Sequence, residues 1–406
     1  MWFRTLLLAV ALLQTAHPPA APTAPPGRLR AAPALSQTSR PLFDNVVTVL
    51  GERYVDQEFR KTVLPALAAR YRPRAERAST IAEQRQVVHD LLSEVPASHL
   101  GLLSRRAFEA VIADLRGDAY PTPGFQLIGF DAGFYAGFVL EGGPAARAGL
   151  LSGDVIRTID GVPTAKSLRL EWRSDDSYIK DDRDPPVHLV HANRGERLAL
   201  TVERRPGELI KLDVPVEDYS ALQAARASVR TIATGDVTVG FVHFWFVHLS
   251  GVPQLLQDSF DGPLRKAQAL VVDLRGRGGS YLEIAKILEV LRGDLARNRR
   301  PIVALIDRQS RSGKDILAYE IKQNHLARLV GEPSAGAVIP ATFADVGHET
   351  ILMFPAVRLP RYTDILEFKP VEPDVMVERA GPFASGRDSI LDVGIQEAVK
   401  LLQVTR

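Results

Sequence analysis

The sequence predicts an α/β protein in three parts: an N-terminal helical bundle, a β-rich module, and a core in which strands and helices alternate. Three observations carry this. Apolar residues recur with a helical period from Phe43 to Ala113. Short alternating runs broken by glycines fill Phe125 to about Arg205. Beyond that, fully apolar strand-like runs alternate with amphipathic ones, the pattern of a core with parallel strands. The chain has 406 residues, 46% of them apolar, enough to bury a sizeable core.

The elements follow in order. The start, "MWFRTLLLAVALLQTAHPPAAPTAPPGRLRAAP", has one basic residue, Arg4, before an apolar stretch from Thr5 to Leu13. That stretch is shorter than the about 20 residues of a spanning helix and has the size of a secretory signal. We expect an exported chain, periplasmic or extracellular, without stable membrane insertion after cleavage. Residues 1–24 would hold the signal and the start of a spacer, and 25–42 the rest of a Pro/Ala-rich spacer. In "FDNVVTVLGERYVD", Phe43, Val46, Val47 and Leu50 share one helix face, and "TIAEQRQVVHDLLSEV" repeats the habit. Pro121, Pro123 and Gly124 mark a boundary, so a helical domain spans 43–120, the β-rich module 121–210 and the core 211–406. In the core, "AQALVVDLRGRGGS" is a buried strand opening into glycines, "YLEIAKILEVLRGDL" an amphipathic helix, "PIVALID" a second buried strand and "VGIQEAVKLL" a closing helix.

Composition excludes several functions. Fifty basic residues against 48 acidic leave a dispersed net charge of +2, which gives no footprint for nucleic acid. There is no cysteine, so disulfides, thiolate catalysis and cysteine metal sites are ruled out. No histidine pair has metal-ligand spacing with a third ligand, and we expect neither a metal nor a cofactor.

The chemistry concentrates in "DRQSRSGKDILAYEI", Asp307 to Ile321. Ser312 follows a buried strand and opens a helix, so it is either an N-cap or a nucleophile. Gly313 can present its N–H at the positive end of that helix, where an oxyanion is stabilised. Gly276, Gly278 and Gly279 end another buried strand, and such strand ends line the crevice of an α/β core. Lys314 reads as a solvated surface lysine that faces away from Ser312. Asp315 suits the first helical turn, and Asp273 with Arg275 would shape the glycine loop.

In the middle module, "VLEGGPAARAGLLSGDVIRTIDGVP" reads as a strand end, a turn, a short helix closed by Gly149, and a strand from Val155 to Ile159. The stretch resembles a PDZ domain, which implies a groove that takes an extended peptide by strand addition. The alternative is a structural β-module with a closed groove.

Four motifs in order — this module, "QALVVDLRGRGGS", "IVALIDRQSRSGKDILAYEIKQNHLARLVGEPSAGA" and "VEPDV" — resemble the carboxyl-terminal-processing (tail-specific) serine peptidases. The resemblance covers about Phe125 to Val375. It implies a crotonase-like spiral α/β core, Ser312 as nucleophile, and an oxyanion hole from Gly313 with Gly278 or Gly279. Members with a Ser–Lys dyad carry a lysine after "VGE"; here that place falls on Ala337. The chain is similar instead to the lysine-lacking branch, with the tricorn protease core and the repeats of interphotoreceptor retinoid-binding protein. Peptidases of that branch use a histidine from an "S-H" motif and a late glutamate. In "LLSEVPASHLGLL" this gives His99, and in "TDILEFKPVEPDV" Glu367, with Glu372 as the alternative orienter. An imidazole titrates near neutrality and is a natural base for serine. His243, with His248, is the competing base on a core strand. The expected function is an exported serine endopeptidase acting on peptides or proteins, with the PDZ-like module engaging substrate C-termini. The alternative is an inactive peptidase scaffold that binds peptides or an apolar ligand.

Overall fold

The computed structural model describes residues 41–172 and 186–405, so the expected signal and nearly all of the spacer lie outside the described residues. Among these residues no helix is long and apolar enough to cross a membrane.

Four helices open the described chain: Leu42–Arg53, Gln57–Thr62, Leu64–Arg77 and Ile81–Leu92. Phe43, Val46 and Leu50 are buried, as the helical period requires. Thr80 and Glu83 form a reciprocal capping box that fixes where the fourth helix begins. The segment after it is not the helical end that periodicity suggested. Gly101–Ser104 is a strand, paired antiparallel with Thr350–Pro355 in the register Gly101↔Met353. Thr350–Pro355 pairs on its other edge with Ala341–Asp345. The helices pack on this small sheet, and their core includes Leu352 and Phe354. An N-terminal segment is thereby tied to one about 250 residues later, a link that local pattern does not report.

The β-module is a continuous sheet in the order Glu208–Pro215, Arg197–Arg205, Val155–Ile159, Gly133–Val139, Phe125–Phe130, Val187–Val190, Leu170–Trp172. The strand at Val155–Ile159 and the short helix Pro144–Arg147 before Gly149 lie where the motif predicts them. Its last strand, Glu208–Pro215, runs through the expected boundary at residue 210.

The core sheet runs Arg230–Thr234, Val237–His243, Ala269–Asp273, Ile302–Ile306, Arg328–Gly331, Val375–Met376. The first pair is antiparallel and the rest parallel. Each new strand joins the same edge of the sheet, which gives the spiral, crotonase-like arrangement. Helices Val252–Asp261, Ile284–Asn298 and Gly313–Gln323 bury their apolar faces on one side. Ser389–Thr405 covers the other side through Ile390 and Ala398. The β-module docks onto the core through backbone bonds, Phe383 N–H to Gly153 O (2.7 Å) and Gly386 N–H to Ser152 O (2.9 Å).

Phe354 is fully buried where the N-terminal helices meet the small sheet. Phe354→Ala should destabilise the fold by about 3–5 kcal/mol. Chemical denaturation of the purified chain checks this, and a loss below the noise would show that this junction does not hold the helices.

Candidate active site

Ser312 lies at the entrance of the helix Gly313–Gln323 with φ 58° and ψ −122°. A non-glycine residue there is strained, and such strain persists where the surroundings impose it. Its N–H donates to Ala337 O at 2.8 Å, and its hydroxyl makes no capping bond to the helix. The cap role is therefore not taken up. Ser310 is a turn residue: it is buried, and its hydroxyl reaches Leu274 O (2.9 Å) and Asp307 Oδ1 (3.0 Å).

The glycine loop lies directly on Ser312. A Cβ on Gly278 would stand 3.4 Å from the Ser312 Cβ, and one on Gly313 would stand 2.5 Å from Ser280 O. Gly313 therefore tolerates no side chain. Its N–H donates to Gly279 O at 3.0 Å. That bond has to open before this amide can meet an oxyanion. Gly278 and Gly279 are tied to the segment after Val237–His243, with Val247 N–H on Gly278 O (3.2 Å) and Ser280 N–H on Val247 O (2.7 Å).

Buried charge holds this loop from below. Arg275 binds Asp273 and, on its other side, Asp388 at 2.7 Å. Burial alone would raise the Asp273 carboxyl, but Arg275 and His243 override it and hold it down to about 2. Asp307 accepts from Gly276 N–H (3.2 Å) and from Arg379 (2.8 Å). His243, the competing base, belongs to this scaffold. Its Nδ1 meets Glu141 Oε1 at 2.8 Å and its Nε2 lies 3.3 Å from Arg275 O. Lys314 corrects the sequence reading. It is fully buried, not solvated, and its Nζ donates to Arg275 O at 2.9 Å. The first turn of this helix is buried all round, so a polar residue there has no face toward water.

A second bracket stands on the opposite side. Glu367, at the end of helix Tyr362–Leu366, accepts from Val338 N–H (2.9 Å) and Ile339 N–H (3.0 Å) through Oε2. Its Oε1 accepts from Ser98 N–H at 2.9 Å. Ser98 Oγ lies 2.9 Å from His99 Nδ1. The glutamate is thus linked to the histidine through Ser98. Sequence reasoning passed over Ser98, although the "S-H" pair was the available signal. His99 has φ 54°, a second strained residue in this cluster. Glu372, the alternative orienter, is exposed, and its carbonyl accepts from Lys322 Nζ at 2.6 Å.

Asp315 does more than complement a helix dipole. It is buried and accepts from Gly336 N–H (2.9 Å) and Ala337 N–H (3.1 Å). Burial pushes its carboxyl up to about 6, against the lowering effect of these hydrogen bonds.

In the β-module, one edge of strand Phe125–Phe130 is filled. Val187–Val190 pairs antiparallel with Phe125–Phe130 through Leu127↔His188 and Ile128↔Val187. Strand addition at that edge would have to displace the chain's own strand. Beside it, a cavity of about 260 Å³ lies between Arg106, Gln126, Phe138, Trp245, Phe246 and Arg277.

A strained serine lies against a glycine loop, and a histidine is linked through Ser98 to Glu367, side chains of the kind that serine-type acyl transfer uses. Comparison with known proteins agrees. Residues 288–377 match peptidase family S41, and residues 139–174 match the PDZ domain. Tricorn protease homolog 1 of Streptomyces coelicolor is 26% identical, over 93% of this chain and 37% of that protein. The chloroplastic C-terminal processing peptidase of Tetradesmus obliquus is 27% identical, over 58% of this chain and 55% of the relative. The chain thus spans roughly a third to a half of the length of these relatives. The crystal structure of the tricorn protease superposes with TM-score 0.50 at 16% identity, covering 89% of this chain and 36% of that one, which shows the shared fold. Over the matched residues the chain is similar to the carboxyl-terminal-processing serine peptidases.

The raised Asp315 carboxyl has a pH signature. Its folded value, about 6, lies above the ordinary 3.8, so the folded state binds the proton more tightly. The stability it contributes is full below pH 3.8 and is lost as pH rises through about 6. Asp315→Asn should lose that slope in a series of denaturation curves, and an unchanged slope in the variant counts against the assignment.

Proposed function

We propose that the chain is an exported serine endopeptidase that cleaves peptide or protein substrates through an acyl-enzyme. One observation carries the proposal. Ser98 connects the His99 ring to Glu367, and Glu367 grips the backbone adjoining Ala337, whose carbonyl holds the Ser312 amide. With Nδ1–H donating to Ser98 Oγ, the His99 Nε2 is the basic nitrogen. In the proposed cycle Ser312 Oγ attacks the scissile carbonyl carbon as His99 Nε2 takes its proton. The carbonyl oxygen becomes an oxyanion facing the amides of Gly278 or Gly279, joined by Gly313 once its bond to Gly279 O opens. Collapse breaks the C–N bond, and His99 returns the proton to the leaving amine. Water then hydrolyses the ester by the same steps.

The names of the relatives point to substrates processed near their C-termini. With the strand edge of the β-module filled, the substrate terminus would be read in the cavity between Gln126, Trp245 and Arg277. Export rests on the N-terminal sequence pattern, and fractionation of cells producing the full chain tests it. A second reading, a scaffold that binds peptides without cleaving them, is favoured by the engagement of the Gly313 amide with Gly279 O.

Fluorophosphonate labelling of the purified chain decides between them. We expect modification at Ser312, loss of about 10⁴-fold or more in rate in Ser312→Ala and His99→Ala, and a smaller loss of about tenfold in Ser98→Ala. No labelling where a control serine peptidase reacts supports the scaffold and overturns the enzyme.

A further inference from the structure

Lys314 has no part in the proposed mechanism, yet it is fully buried two positions after Ser312. Burying an ammonium is expensive, and a methionine would fill the space without that penalty. Its neighbours define a narrow task. Nζ donates to Arg275 O, the carbonyl from which the Gly276–Gly279 loop departs. The charged groups facing it come from every element packed there. These are Asp307 after strand Ile302–Ile306, Asp273 and Arg275 at the end of strand Ala269–Asp273, and Arg277 in the loop. His248, beyond strand Val237–His243, faces it as well. Asp273 is already paired with Arg275, and Asp307 with Arg379, so neither carboxylate is reserved for the lysine.

We propose that Lys314 is a positioning residue. Its ammonium pins the Arg275 carbonyl, so that the glycine loop stays against Ser312, and it places positive charge behind the amides that receive the oxyanion. The inference rests on the reading of Ser312 as nucleophile. Several bonds hold the loop as a fold element: Gly276 N–H on Asp307 and Val247 on both sides of Gly279. None of these fixes the Arg275 carbonyl, which among the described residues meets Lys314 Nζ and, at 3.3 Å, His243 Nε2. Burial also lowers the Lys314 ammonium to about 7, although Asp307 and Asp273 pull it up. The charge is therefore present below pH 7 and lost as pH rises through it. A neutral amine keeps a weaker donor and loses the charge.

The test is the rate of fluorophosphonate reaction with the full chain, measured from about pH 6 to about pH 9, for wild type and Lys314→Met. Wild type should slow on the alkaline side. Lys314→Met should be about tenfold to a hundredfold slower at acid pH and should lack the alkaline decline, while thermal unfolding stays cooperative. A merely structural lysine would change the unfolding and leave the shape of the pH profile intact. If wild type reacts and Lys314→Met matches it in rate and profile, this inference is overturned and the nucleophile reading stands. If wild type does not react at all, both fall. If the variant does not fold, the wild-type profile still decides, because a rate that holds or rises above neutral pH overturns the role.

Discussion

The site depends on one short stretch of backbone, Gly336 to Ile339, gripped by two carboxylates. Asp315 takes the amides of Gly336 and Ala337, and Glu367 takes those of Val338 and Ile339. Four consecutive buried N–H groups are satisfied without any regular secondary structure, which buried backbone requires. The Ala337 carbonyl is then aimed at the Ser312 amide. This contact helps hold the serine in a conformation it would otherwise leave. The remaining oxygen of Glu367 holds Ser98, and Ser98 holds the His99 ring. The strained serine and the histidine thus share a single support. The segment itself contributes backbone alone to these contacts.

The glycine loop is held by a different kind of force. Beneath it lies a layer of charge: buried Asp273, Asp307, Lys314 and His243, with Arg275 partly buried among them. Each ion there is tolerable because another group compensates it, so removing one partner leaves an uncompensated charge. The layer reaches beyond the core. Glu141, on the β-module, accepts from His243 and Trp245, and Asp388 precedes the C-terminal helix. The docking of the β-module and the shape of the loop beside Ser312 are parts of the same charge network.

Much of the fold was legible because it is local. The buried strands Ala269–Asp273 and Ile302–Ile306 are continuous apolar runs, and the turn, helix and strand at Gly142 to Ile159 follow from turn chemistry and a short period. The misreadings share a cause. Lys314 looked solvated because a charged residue on a helix usually is, but here the whole first turn is buried. The segment at Gly101 looked like the end of a helical region because its strand partner lies at Thr350–Pro355. The filled edge of the β-module arises from Val187–Val190, which is not adjacent in sequence to the strand it covers.

The sequence by itself determined which residue types were available: a serine at a helix mouth, a glycine cluster after a buried strand, an "S-H" pair, a late glutamate and no cysteine. These choices depend on local propensity and on the chemistry each side chain carries, and both are written in the chain order. Only the tertiary structure decided how they connect. It put Ser98 between His99 and Glu367, sent Lys314 inward to the Arg275 carbonyl, and paired strand Phe125–Phe130 with Val187–Val190. The physical reason is that hydrogen-bond reach is about 3 Å and burial is set by what packs above. Neither follows from spacing along the chain when the partners are hundreds of residues apart.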